Sequence, residues 1–229
     1  MGTIFLKDNP EGKSYIAFFD LDRTITKAVS GSSLVRNAFR KGLLKPSNML
    51  KAICLSAAYM LTMKDPVKIM NDMIQWVKGI REEDFSRLCS DTFQEILLPS
   101  IHSEAIAEIE MHKKNNASTV ILSSSLIQIC REMADHLGMD DIVCSELEIS
   151  DGRLTGFPKG SLCYGREKIS GLTSYCEKNN SKIEDAWYYG DSISDLPVLN
   201  IVGNPVCVNP DRMLLKSARK NGWKILFWD

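Results

Sequence analysis

The stretch SYIAFFDLDRT, residues 14–24, runs from apolar side chains straight into two carboxylates. Ser14 to Phe19 reads as a short buried strand whose C-terminal end carries polar function. Asp20 and Asp22 follow at that end, two residues apart. Carboxylates so placed are costly unless they are paired or hold a metal ion. The competing reading is a solvated turn, so Asp20-Leu21-Asp22-Arg23-Thr24 needs support from elsewhere in the chain.

Downstream of this motif the pattern changes. From about Lys27 to Leu98, Leu, Met, Ile and Ala recur at helical spacing, with Gly42, Pro46, Pro66 and Gly79 as the few breakers. This predicts several helices with no strand between them, ending at Pro99. Alternation then begins. A helix is expected from Ile101 to Lys114, a strand from Thr119 to Leu122, and a helix from Leu126 to Leu137 stopped by Gly138. Ile142 to Ile149 and Leu154 to Gly156 read as a hairpin around Asp151-Gly152-Arg153. A helix from Lys168 to Lys178, strands from Ala186 to Tyr189 and Val206 to Val208, a helix from Met213 to Lys220 and a strand from Ile225 to Phe227 complete the series. Strands spaced by helices predict an α/β fold, a Rossmann-like parallel sheet core with an inserted all-helical cap domain. The expected division assigns 1–26 and 99–229 to the core and 27–98 to the cap.

Open parallel sheets gather ligands at the C-terminal ends of their strands. Three further strand ends carry polar groups there. Ser123 follows Thr119-Val-Ile-Leu122, with Ser124 and Ser125 behind it. Such hydroxyls hold an oxyanion or cap the next helix. Lys168, in Tyr164-Gly-Arg-Glu-Lys168, is a surface lysine unless it points at the carboxylates. Asp191 and Asp195, in Gly190-Asp-Ser-Ile-Ser-Asp195, follow an apolar strand. A helix cap accounts for one of these two acids but not for both. One common site accounts for all four clusters.

Asp20-x-Asp22-x-Thr24, Ser123, Lys168 and Gly190-Asp191-x-x-x-Asp195 match, in order, the four motifs of the haloacid dehalogenase superfamily. The chain resembles that superfamily over nearly its whole length. The run from Gly190 to Pro197, the hairpin Asp151-Gly-Arg-Leu-Thr-Gly156, Asn209-Pro210-Asp211 and Gly222-Trp223 are similar to its phosphoserine-phosphatase-like branch. There, a helical cap lies between the first and second motifs. Arg23 departs from the pattern, since the superfamily more often has a small residue such as Gly. The cap residues match the phosphoserine enzymes too poorly to carry over amino-acid recognition.

The resemblance implies a magnesium-dependent phosphomonoester hydrolase working through an aspartyl-phosphate. Asp20 would be the nucleophile, Asp22 the general acid and then base, and Thr24 would orient the turn and Asp22. Ser123, Ser124 and Lys168 would bind phosphate oxygens. Asp20, Asp22 through its backbone carbonyl, Asp191 and Asp195 would hold Mg2+, with Asp195 acting directly or through water. A phosphotransferase on the same site and a non-catalytic phosphate-binding regulator remain as alternatives.

Composition fits such a chain. The 229 residues are 44% hydrophobic, enough for a sizeable core. Lys and Arg number 28 against 29 Asp and Glu, for a formal net charge of −1, and no basic stripe invites nucleic acid. The seven cysteines are odd in number and lack C-x-x-C spacing, which argues against a disulfide framework or zinc site. Scattered thiols suit a reducing compartment, and the N-terminus does not read as a signal peptide, so a cytoplasmic location is expected. Ala52 to Met63 is the most apolar stretch but too short to span a bilayer. It reads either as packing within the cap or as a slot for a lipid-like phosphate. Arg36, Arg40, Lys41 and Lys45 form either an anion-attracting entrance or a solvated basic face. The expected partner is a small-molecule phosphomonoester. Oligomeric state is not legible.

Overall fold

The computed structural model describes residues 14–44 and 66–229. Six strands form one sheet: β1 (Ile16–Phe19), β2 (Ser118–Leu126), β3 (Asp141–Ser145), β6 (Trp187–Gly190), β7 (Asn204–Val208) and β8 (Lys224–Leu226). Their order is β3-β2-β1-β6-β7-β8, and every pairing is parallel. This is the Rossmann-like sheet expected from the alternation. β1 is central, and Ile16 to Phe19 are all buried. Apolar clusters cover both faces, which is why β1 is apolar at successive positions instead of alternating.

The topology fixes where chemistry can occur. From β1 the chain builds outward through β2 to β3, then crosses back and builds through β6 to β8. The seam between β1 and β6 is therefore the switch point of the sheet, where neighbouring connections diverge and leave a crevice. Phe19 pairs with Tyr189 in that seam, and the Asp20 amide donates to the Tyr189 carbonyl at 2.9 Å. Asp20 and the Gly190-Asp191 step thus leave the sheet side by side.

Between β1 and Ser100 the described residues form helices Ser30–Arg40, Pro66–Ile74 and Glu82–Thr92. The last runs into a π turn, Phe93–Leu97, and a 3-10 turn, Leu98–Ser100. The apolar stretch from Ala52 to Met63, together with Lys45 and Cys54, lies outside the described residues. The two connections to this block run together. Lys27 N–H donates to the Ser100 carbonyl at 2.8 Å, and His102 N–H to the Ile25 carbonyl at 3.0 Å. Arg40 is paired with Glu95, and Lys41 with Asp91 and Glu95, so most of the described basic group is neutralised in place. Arg36 is exposed.

The expected hairpin needs correction. Ile142 to Ile149 is two elements: β3 joins the main sheet as a parallel strand, and β4 (Leu147–Ser150) pairs antiparallel with β5 (Arg153–Pro158). The break falls at Glu146, between two apolar runs that merge in the sequence. The Asp151-Gly152 turn forms as expected, with φ of 50° and 70°. This hairpin is bonded to the helical block. Gly79 N–H donates to Leu154 O at 2.8 Å, Leu154 N–H to Ile80 O at 2.9 Å, and Glu82 N–H to Gly152 O at 3.0 Å. The six described cysteines are buried and free. Among the described residues no helix is long and apolar enough to cross a membrane.

Candidate active site

Asp20 is held at both oxygens. The Leu21 N–H donates to Oδ1 at 2.8 Å, and Lys168 Nζ lies 3.2 Å from Oδ2. The turn after it is tied to one atom. The Leu21 carbonyl accepts from the amides of Thr24 (3.4 Å), Ile25 (2.9 Å) and Thr26 (3.0 Å). The Thr26 hydroxyl adds bonds to the carbonyls of Leu21 at 3.2 Å and Ala28 at 2.9 Å. Thr26, which the sequence reading passed over, therefore pins this turn. The Thr24 hydroxyl is buried without a hydrogen-bond partner among the described residues.

Asp22 caps the Ser30–Arg40 helix from outside it. The Ser30 amide donates to Oδ1 at 2.8 Å and its hydroxyl to Oδ2 at 2.9 Å. The Ser30 hydroxyl also lies 2.7 Å from that of Ser125, which accepts from Ser123 Oγ at 3.3 Å. Ser123 is thus brought to the site, while Ser124 is half-buried and outside this hydroxyl chain. Ser125 was expected only as a further hydroxyl beside Ser123, and Ser30 carries no signal in the sequence. A serine eight residues past the second acid signals nothing until the helix is placed. The serine run ends β2 in a register shift between Leu122 and Leu126 and caps no helix, while the expected helix begins one residue later, at Ile127.

Lys168 is not the surface residue its sequence context allowed, for it is 3% exposed. Its Nζ donates to Asp195 Oδ1 at 2.8 Å and to the Tyr188 hydroxyl at 3.0 Å. The Tyr188 hydroxyl donates in turn to Asp195 Oδ1 at 2.7 Å. The other Asp195 oxygen, Oδ2, accepts from Ser192 N–H at 3.3 Å, completing a capping box with the Ser192 hydroxyl. Gly190 is required for closeness and not for a left-handed turn: a Cβ there would lie 2.9 Å from Asp195 Cγ. Asp211 braces the same loop. Its amide donates to the Asp191 carbonyl at 2.8 Å, and its Oδ2 accepts from Ile193 N–H at 2.8 Å.

Asp20, Asp191 and Asp195 each offer an oxygen, and the three lie within 4.8 Å of one another. The electrostatic cost is visible in the acids. Burial pushes Asp191 up to about 8, with the charges of Asp20 and Asp195 adding to it and Arg23 and Lys168 opposing it. Burial likewise raises Asp20 to about 6, against the opposing charge of Lys168. Asp22 is raised by burial, less so because of Ser30. Three converging carboxylates with one ammonium fit a hard divalent cation that takes oxygen ligands. Asp191 fits it most plainly, since its carboxylate accepts no hydrogen bond from a described residue.

A family model for haloacid dehalogenase-like hydrolases matches residues 17–200. The chain belongs to that family, and as an enzyme it is a phosphatase. It is 30% identical to "Probable phosphatase Rv3661" of Mycobacterium tuberculosis, over 92% of this chain and 74% of that one. It is 26% identical to the histidinol-phosphatase of Neisseria meningitidis serogroup C, over 92% of this chain and 97% of that one. A solved phosphoserine phosphatase, a phospho-aspartyl intermediate analogue, superposes with a TM-score of 0.71 at 17% identity, covering 94% of this chain and 93% of that chain.

Proposed function

We propose that this phosphatase hydrolyses a small-molecule phosphomonoester through an aspartyl-phosphate on Asp20, with Mg2+ as its cation. The observation that carries the reading is the meeting of Asp20, Asp191 and Asp195 within 4.8 Å, with Lys168 Nζ 3.2 Å from Asp20 Oδ2. Asp20, the Asp22 carbonyl and Asp191 would hold the cation, and Asp195 would reach it through water, because its oxygens are engaged by Lys168, Tyr188 and Ser192. The bound cation supplies screening between an anionic nucleophile and an anionic phosphate.

The residues do the rest. Asp20 Oδ2 attacks phosphorus in line as the bond to the leaving oxygen breaks. Lys168 withdraws charge from the phosphoryl oxygens, and Ser123 donates to one of them. Asp22, raised by burial, gives its proton to the leaving alkoxide. It then takes one from the water that attacks the acyl phosphate, which frees phosphate and restores Asp20. The Ser30 bonds hold its carboxylate in place for both transfers. The helices of 27–98 would serve as the cap over the core of 1–26 and 99–229, excluding bulk water.

Relatives named for histidinol phosphate and phosphoserine favour a small polar alcohol phosphate as substrate. A panel of phosphoserine, histidinol phosphate, phosphoethanolamine, glycerol phosphate and lysophosphatidate, run with magnesium and with chelator, tests this. Turnover of a polar ester that chelator abolishes and Asp20→Asn eliminates is the expected result. Turnover of lysophosphatidate alone would refute the polar substrate. An active Asp20→Asn would refute the nucleophile.

A further inference from the structure

We propose that Tyr188 is a positioning residue for Lys168: its phenol and Asp195 hold two of the ammonium protons, so that the third is left to face the phosphoryl group beside Asp20. This rests on the hydrolase reading above. An ammonium has three N–H donors in fixed tetrahedral directions. Lys168 Nζ has two hydrogen-bond acceptors, Asp195 Oδ1 at 2.8 Å and the Tyr188 hydroxyl at 3.0 Å, and lies in ion-pair contact with Asp20 Oδ2 at 3.2 Å. Tyr188 has a single proton, and that proton goes to Asp195 Oδ1 at 2.7 Å. Its oxygen therefore turns a lone pair toward Lys168. Lysine, tyrosine and Asp195 close a three-membered ring of hydrogen bonds in which every donor direction is settled.

The ring leaves one proton of the ammonium for the reaction. The two shorter contacts anchor Nζ, and the longest, to Asp20, is the one a phosphate oxygen can share. Anchored by Asp195 alone, a flexible four-carbon stem would let the ammonium pivot. Tyr188 is a rigid anchor because it lies on β6, fully buried, within the apolar cluster that covers one face of the sheet. Phenylalanine would keep that packing and remove only the phenol.

The test uses the full chain, magnesium and p-nitrophenyl phosphate. Tyr188→Phe is expected to lower kcat per folded molecule on the order of tenfold with KM little changed, the signature of an interaction lost in the transition state. In a Lys168→Arg background, whose planar fork cannot fill the same ring, the substitution is expected to change kcat less than about twofold. An unchanged kcat, a rise in KM alone, or an equal loss in both backgrounds overturns the inference. Should Tyr188→Phe not fold, tyrosine labelled at Cζ in the wild-type protein decides. The Tyr188 resonance is expected to shift when inorganic phosphate binds, and a stationary one overturns the inference. A wild-type protein without turnover would defeat the hydrolase reading itself, whereas an active wild type matched by Tyr188→Phe defeats this inference alone.

Discussion

Ser30 presents both of its donors to Asp22, its amide to one carboxylate oxygen at 2.8 Å and its hydroxyl to the other at 2.9 Å. The two can be removed separately. Ser30 opens its helix, so its amide has no partner within the helix and proline is tolerated at that position. Ser30→Ala keeps the amide and is expected to lower kcat by less than about tenfold. Ser30→Pro removes both donors and is expected to cost on the order of a hundredfold, within the range of a misplaced general acid. Helix content by circular dichroism should be the same in both. Equal activities would show that Asp22 is placed by something else.

Asp191 accepts no hydrogen bond from a described residue and is repelled by Asp20 and Asp195, which the charges of Arg23 and Lys168 only partly offset. A bound cation reverses that balance. Magnesium at about a hundred times its dissociation constant should stabilise the wild-type protein by about 2.7 kcal/mol. Asp191→Asn removes one of the converging charges. It is expected to melt higher than wild type in chelator and to lose most of the magnesium-induced rise. A rise of the same size in both proteins would place the cation elsewhere.

Much of this was legible because strand ends announce themselves. Asp20, Asp191 and Asp195 stand beside apolar runs, and pattern alone placed them on one rim of a parallel sheet. What pattern could not give was the partner of each group. Lys168 sits on a helix with ordinary spacing, and only the fold buries it against Asp195. Tyr188 reads as one more aromatic in a strand, because nothing in Ala186 to Tyr189 says which face meets the lysine. The merged strand from Ile142 to Ile149 failed for a related reason. Ser145 and Glu146 interrupt the apolar run for only two residues, too little for periodicity to register, yet there the chain leaves the sheet.

Arg23 illustrates a departure whose cost is local. Its φ is 59°, in the left-handed region that penalises any Cβ by roughly 1 to 2 kcal/mol. The small residue common at this place in the superfamily is thereby explained. Arg23→Gly should unfold no more easily than wild type, since relief of strain offsets the greater freedom of glycine when unfolded. Arg23→Val should lose about 1 kcal/mol or more. The arginine charge also opposes the rise of Asp191, so Arg23→Gly should bind magnesium slightly more tightly. Thermal melts and a magnesium titration of the three proteins check both halves, and a glycine variant that melts well below wild type contradicts the strain argument.

His112 makes the fold sensitive to acid from a position behind the site. It is fully buried, with Nδ1 2.9 Å from the Tyr15 hydroxyl and Nε2 2.8 Å from that of Tyr189. The Tyr189 hydroxyl donates to Glu108 at 2.7 Å, so it accepts from Nε2–H, and Nδ1 accepts from Tyr15. The imidazole is thus held neutral. Burial lowers it to about 4 from an ordinary 6.5, with Lys224 assisting and Glu108 opposing. The unfolded chain takes up this proton near pH 6.5, and the folded one does so only near 4. Stability from this group is therefore complete above pH 6.5 and is lost as pH falls toward 4, by on the order of 2 kcal/mol. Carboxylates titrate in the same window, so the comparison must isolate the imidazole. His112→Gln can donate to Tyr189 and accept from Tyr15 without titrating. Subtracting its stability curve from that of wild type should leave a difference that declines below pH 6.5 and levels off near 4. A flat difference across that range would mean that the histidine takes up its proton as readily folded as unfolded, and the bond to Tyr15 would have to be reversed, because an imidazolium donates from both nitrogens.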